Sequence, residues 1–224
     1  MAVPGHVLDP LTDFLVCPWT VNLLCHCEFV WQSGLSADPG HHHWTCCVNL
    51  AQTGFLPNVF KAMSHRPAEF RAFFAYYNAI MNKDTGQLSK ADKELIIVAT
   101  SVVNRCPYCV VAHGALHRIY SKQPALADQV IVNWKLADLN DRELAMLEFA
   151  LAVCRADNIT EEHFQKLEAH GFDREDAWDI GMISAFFAMS NRIAHYIDLR
   201  PNKEFYTMGR TPREEKETEK AEHA

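Results

Sequence analysis

The first fifty residues contain no lysine and no arginine, although the 224-residue chain carries 21 of them. That absence argues against a mitochondrial transit peptide, which needs arginine, and against a secretory signal, which opens on a basic stretch. Long apolar runs are missing too. The longest, around Phe14 to Cys25 and Ile180 to Met189, are too short or too interrupted for a bilayer, which takes roughly 20 consecutive apolar residues. Nor is there a patch of clustered Lys and Arg; with a formal charge of −7 and a pI near 5.9, the chain lacks the basic footprint of a nucleic-acid binder. These absences predict a protein of a reducing, cytoplasmic compartment, with neither membrane nor nucleic acid as partner.

Cysteine is not scarce, but its placement is uneven. Residues 1–50 hold five of the eight Cys, five of the twelve His and three of the five Trp. A metal site built from Cys25, Cys27, His41, His42, His43, Cys46 and Cys47 is one reading of this segment. Its spacings match none of the usual zinc patterns, so an irregular extension is the simpler expectation, and no metal or cofactor is assigned. The chain is long for a disulfide-stapled scaffold, and in a reducing compartment a C-x-x-C pair points to redox or metal chemistry rather than a structural bridge. The expected organisation is an extension over 1–50, a helical domain over 51–210, and a charged, disordered tail over 211–224.

From Leu56 onward the apolar residues recur at helical spacing, and turn signals separate one helix from the next. Phe60, Met63, Phe70, Phe73, Phe74, Tyr77, Ile80 and Met81 fall near i, i+3, i+4 and i+7 across a break at Pro67. Core packing is the expected role of this aromatic run, with an apolar substrate pocket as the alternative. Ser89 with Asp92, and Asn140 with Glu143, read as capping boxes; Thr160 opens a short helix that should end at Gly171, and Asp173 opens the last long one. On that last helix Asn191, Arg192 and His195 are polar exceptions on an apolar stripe. Cys154 reads as an inert, buried thiol. The expected fold is therefore all-α: a single-domain helical bundle.

One stretch, Glu94 to Arg118, reads as chemistry rather than packing. Pro107 suits the first turn of a helix because its missing N–H would be unsatisfied there, which makes Cys106 the N-cap and opens a central helix on Cys106-Pro107-Tyr108-Cys109. His113 then follows Cys109 at i+4 on the same face. A helix N-terminus with a nearby base lowers a thiol pKa and makes the reactive thiolate. Glu94 lies on the preceding apolar helix. If the two helices pack antiparallel about the Asn104-Arg105 turn, its carboxylate can orient the imidazole of His113.

Glu94, Cys106-x-x-Cys109 and His113 at these offsets resemble the signature of the alkylhydroperoxidase D and carboxymuconolactone decarboxylase superfamily. The flanking Gly54-Phe55-Leu56-Pro57-Asn58-Val59-Phe60, Asn191-Arg192 and Pro201-Asn202-Lys203-Glu204-Phe205 resemble its peroxidase-related branch, and the likeness spans about Gly54 to Arg210. Position 108 is Tyr where the best-described peroxidases carry a histidine. The resemblance implies a thiol-dependent peroxidase with Glu94, Cys106, Cys109 and His113 as catalytic residues. Cys109 would attack the hydroperoxide, Cys106, at an exposed helix start, would resolve the sulfenic acid as a disulfide, and Glu94 with His113 would relay the proton. It further implies a thioredoxin-like or lipoyl-bearing protein as reductant and a homo-oligomer, trimeric or hexameric.

Other classes remain open on the sequence. The second half of the superfamily decarboxylates small lactone acids without depending on a C-x-x-C, which would leave the dithiol here unexplained. A non-catalytic redox sensor or scaffold would use Cys106 and Cys109 as a switch without turnover. Zinc at Cys106, Cys109 and His113 would lack an evident fourth ligand.

Overall fold

A computed structural model of the chain describes residues 54–83 and 86–210. The chain divides into two units, Met1–Leu56 and Pro57–Ala224, and the second contains all the helices described here. The alternative metal site proposed for the first fifty residues, and the charged tail, lie outside the described residues.

Eight α-helices follow one another among the described residues, with no strand: α1 (Asn58–Met63), α2 (Pro67–Met81), α3 (Lys90–Val103), α4 (Pro107–Ser121), α5 (Leu126–Asn133), α6 (Asp141–Arg155), α7 (Glu161–Glu168) and α8 (Arg174–Tyr196). Short 3₁₀ turns follow α5 and α8, at Trp134–Leu136 and Lys203–Tyr206. The domain is all-α, and none of these helices is long and apolar enough to cross a membrane.

α3 is the helix the others wrap. Ten consecutive residues from Asp92 to Ser101 are buried, so it is enclosed on every side rather than along one stripe. It packs against α4, α5, α6 and α8, and its Leu95, Ile96, Ile97 and Val98 are almost wholly shielded from solvent. Each such aliphatic side chain contributes roughly 1.5–3 kcal/mol. The C-x-x-C helix α4 is its hairpin neighbour. Between them Asn104 closes α3 and Arg105 turns the chain with a left-handed φ of 54°, after which the Cys106 N–H bonds back to the Ser101 carbonyl at 2.9 Å.

The capping boxes at Ser89, Asn140 and Asp173 form as the local sequence dictates. Asp176 serves a second purpose: besides closing the Asp173 box, it accepts the Gln87 N–H at 2.7 Å and so ties the entry to α3 onto the start of α8. Gly86 makes this approach possible. Its φ is +88°, and a Cβ there would sit 2.6 Å from the Asp176 carboxylate. Thr160 also caps, through His163, but α7 stops at Glu168, and Gly171, with φ +87°, turns the chain beyond it.

Two charged side chains are buried as braces. Lys93, 2% exposed, donates to the carbonyls of Met81 and Lys83 at 3.1 and 2.8 Å and closes the C-terminus of α2. Arg118, 4% exposed, donates to the carbonyls of Phe205 and Met208 at 2.8 and 2.9 Å, which holds the segment after α8 against α4. The aromatic run of α2 is packing: Phe60 stacks on Phe74 at 4.5 Å, and Phe73 leans on Phe186 at 4.8 Å. The cluster ends at the site, because Phe187 stands edge-on to the His113 ring at 4.8 Å.

Candidate active site

The α3–α4 hairpin fixes the relative position of Glu94 and His113. Reading away from the turn, Glu94 on α3 and His113 on α4 stand level, and His113 Nδ1 lies 2.6 Å from Glu94 Oε2. Both side chains are nearly closed to solvent, at 11% and 4% exposure for His113 and Glu94. A carboxylate on one ring nitrogen fixes the ring and directs the other nitrogen outward from the pair.

Cys106 occupies the N-cap of α4 and Cys109 its first turn, both as free thiols. The sequence led to the expectation of an exposed Cys106. It is instead 1% exposed. Cys109 is 2% exposed and meets Ser190 and Asn191 of α8.

The two sulfurs are electrostatically unlike. The Cys109 thiol hydrogen-bonds to the Cys106 sulfur and draws the Cys106 pKa down to about 6, against the opposing effect of burial. Smaller help comes from the Cys109 amide, which faces the sulfur without completing a cap hydrogen bond, and from the proximity of His195 and Asn191. Cys109 is pushed the other way, first by donating that hydrogen bond and then by burial. The two thiols therefore titrate as one coupled pair, in which the shared hydrogen bond favours the thiolate of Cys106 over that of Cys109.

Tyr108, between the cysteines, is not a base. It is 5% exposed, its hydroxyl accepts the Val59 N–H at 3.3 Å, and burial raises its pKa. The flanking segments singled out in the sequence meet nearby: the Asn58 N–H donates to Asn202 Oδ1 at 2.8 Å, and Asn58 Nδ2 to the Arg200 carbonyl at 2.9 Å.

Glu94 also borders a cavity of about 50 Å³, lined with Tyr77, Met81, Lys90, Lys93 and Tyr120. That is room for water, not for an organic hydroperoxide. The charge of Glu94 contributes to raising the pKa of both tyrosines, after burial. One turn beyond His113, His117 is 1% exposed with Nδ1 unpartnered, and burial lowers its pKa to about 4, so it is neutral.

Among the described residues, no group of three or more His, Cys, Asp or Glu is arranged to hold a metal ion. The sequence did not assign a role to Asn104, Ser190 or Asn191. Asn191 did carry a signal, as an amide on an otherwise apolar helix face.

Residues 67–125, which contain the hairpin, match the carboxymuconolactone decarboxylase family. A peroxidase-related protein of Ralstonia eutropha JMP134, solved as an alkylhydroperoxidase AhpD core, is 53% identical with a TM-score of 0.76, over 78% of this chain and 92% of that one. The chain belongs to the alkylhydroperoxidase D-like and carboxymuconolactone decarboxylase superfamily. A second peroxidase-related member, from Silicibacter sp. TM1040, is 37% identical with a TM-score of 0.72 over the same shares of the two chains. The debrominase Bmp8, at 21% identity and a TM-score of 0.64, shares the fold. No match was found among curated proteins. Within this superfamily the chain falls with peroxidase-related proteins, and the dithiol, Glu94 and His113 all lie inside the matched segment.

Proposed function

We propose that the chain is a thiol-dependent peroxidase that reduces hydroperoxides with the Cys106–Cys109 dithiol, with Glu94 and His113 handling protons. The observation that carries this reading is a buried pair of free thiols at the start of α4, one helical turn from an imidazole fixed by a carboxylate. A thiolate sulfur attacks the distal oxygen of the hydroperoxide, the O–O bond breaks, and the alkoxide leaves to take a proton. The oxidised sulfur is a sulfenic acid. The second sulfur then displaces its hydroxyl, so that two thiols and one hydroperoxide become a disulfide, an alcohol and water.

The lowered pKa of Cys106 favours it as the attacking sulfur, whereas the family pattern assigns that step to Cys109. The two assignments differ by one proton shift along a hydrogen bond already in place. His113 is the base nearest in sequence to Cys109 on α4, and Glu94 steadies the imidazolium formed when it accepts a proton. A dithiol carrier of the thioredoxin or lipoyl type would restore the reduced pair by exchange, the low Cys106 pKa favouring that sulfur as the leaving thiolate. The same reading places the protein in a reducing compartment such as the cytoplasm. It also expects a homo-oligomeric trimer or hexamer, in support of which Trp178, Met189 and Tyr196 stand exposed along α8.

The test is consumption of cumene hydroperoxide by the reduced protein with dihydrolipoamide as electron donor. Cys106→Ser and Cys109→Ser should each stop turnover, and Cys154→Ser should not. Unchanged consumption in the double Cys106→Ser/Cys109→Ser variant would remove the reading and favour chemistry independent of the dithiol.

A further inference from the structure

Phe187 of the aromatic core stands edge-on to the His113 ring, and the hydrogen-bonded partner of that ring, Glu94, borders the cavity of about 50 Å³. The walls of this cavity change character with depth. Met81, Lys93 and Glu94 are buried, Tyr77 is half-buried, and Asn82, Lys90 and Tyr120 stand exposed, Tyr120 at 44%. The cavity therefore leads from a closed-in carboxylate to the surface. Tyr120 follows His113 at i+7 on α4, which puts it on the same face two turns further along.

Water suits both the size and the chemistry of this space. An enclosed water needs roughly 10–15 Å³ and two to four polar partners, so about three or four fit. The hydroxyls of Tyr77 and Tyr120 and the Asn82 amide can each donate and accept, and the Glu94 carboxylate accepts. Burial, and then the charge of Glu94, raise the pKa of both tyrosines, so each hydroxyl keeps its hydrogen. The other charged groups of the lining are Lys93, whose ammonium the Met81 and Lys83 carbonyls hold at 3.1 and 2.8 Å, and the exposed Lys90.

A dithiol that attacks as thiolate has to trade protons with its surroundings. One thiolate, one thiol, one hydroperoxide and one proton become a disulfide, an alcohol and water. Reduction by a dithiol carrier restores the thiolate and the thiol and releases the proton. One proton thus enters and one leaves in each turnover, although His113 and Glu94 are nearly closed to solvent. We propose that the cavity is a water-filled passage by which the Glu94–His113 pair exchanges protons with solvent, with Tyr77 and Tyr120 positioning the water. Protons enter between α2 and the end of α4, about three helical turns from Cys109. The purpose of the passage rests on the peroxidase reading, but its test needs no turnover.

The proton on the Glu94–His113 hydrogen bond is the probe. In reduced protein carrying isotope-labelled histidine, its magnetic resonance signal is assigned by its loss in His113→Gln, and its exchange with water is read by saturation transfer. The double variant Tyr77→Phe/Tyr120→Phe keeps both rings and removes both hydroxyls. It should slow the exchange by a factor of about three to ten, the size expected for a lost hydrogen bond. Tyr76→Phe, one residue away on α2 with its ring against Phe186 and outside the cavity, should exchange as the wild type does. A loosened fold would speed the exchange, so the direction of the change separates a passage from a prop. Asn82→Leu, apolar at the mouth, should also slow it and serves if the tyrosine variant does not fold. An unchanged or faster exchange in the cavity variant, or equal slowing in Tyr76→Phe, would overturn the proposal. Peroxide consumption is measured separately: a protein inactive toward hydroperoxides would lose the peroxidase reading, whereas slowed exchange would still establish the passage.

Discussion

Removing the Cys109 thiol should cost Cys106 its acidity, and the size of the effect follows from the site. A Cys106 pKa of about 6 leaves about nine-tenths of it as thiolate at pH 7, against about 3% for an ordinary thiol near 8.5. The largest cause is the hydrogen bond from Cys109, and such a bond to a charged group contributes about 1.5–3 kcal/mol, or about one to two pH units. Cys109→Ala should therefore titrate Cys106 near pH 7–8, with burial now less opposed. Cys109→Ser keeps an O–H donor and should stay nearer to 6. Peptide-resolved alkylation between pH 4 and pH 10 measures all three proteins. The sign extends to stability. Because the folded midpoint lies below the ordinary value, the Cys106 thiolate stabilises the reduced fold fully above about pH 8.5, and this contribution fades as pH falls through about 6. Urea unfolding of the reduced wild type and Cys109→Ala should diverge across that window. Coincident alkylation curves for the wild type and Cys109→Ala would refute the reasoning, as would a wild-type Cys106 midpoint at or above 8.5.

Two further perturbations probe the scaffold of the site. Glu94→Gln removes the charge from a nearly buried 2.6 Å hydrogen bond, so a loss of about 1.5–3 kcal/mol is expected, with peroxide turnover falling at least about tenfold; a variant with wild-type melting and turnover would show that the pair is idle. Lys93→Met fills similar space but leaves the Met81 and Lys83 carbonyls without that donor, which should lower stability by about 2 kcal/mol in urea unfolding. An unchanged unfolding midpoint would mean that water replaces the ammonium at no cost.

The features legible in the sequence are those set by neighbours along the chain. Ser89 with Asp92, Asn140 with Glu143, and Cys106 with Pro107 each mark a helix start, and each helix starts there. The Glu94–His113 pairing was legible as well, because a two-helix hairpin with a short turn brings residues about two to three helical turns either side of it face to face. What could not be read depends on α8. Asn191 lies 87 residues from Asn104 and 90 from Ser101 in the chain, so nothing local announces that its amide bonds to the end of α3 beside the dithiol. Cys106 is closed to solvent, although by sequence alone it sits at an open helix end. Cys154 is half-buried rather than enclosed, and burial raises its pKa, in keeping with an unreactive thiol.

Tyr108 has a consequence for how this scaffold can be varied. Its hydroxyl anchors the first turn of α1, and its ring stands edge-on to Phe205, so the spacer between the two sulfurs is also the fastener for both ends of the domain. A histidine introduced there to supply a base would have to fill a mould cut for a larger phenol and give up its grip on Val59. Retuning the reactivity of the spacer and keeping the termini moored are, in this chain, competing demands on a single residue.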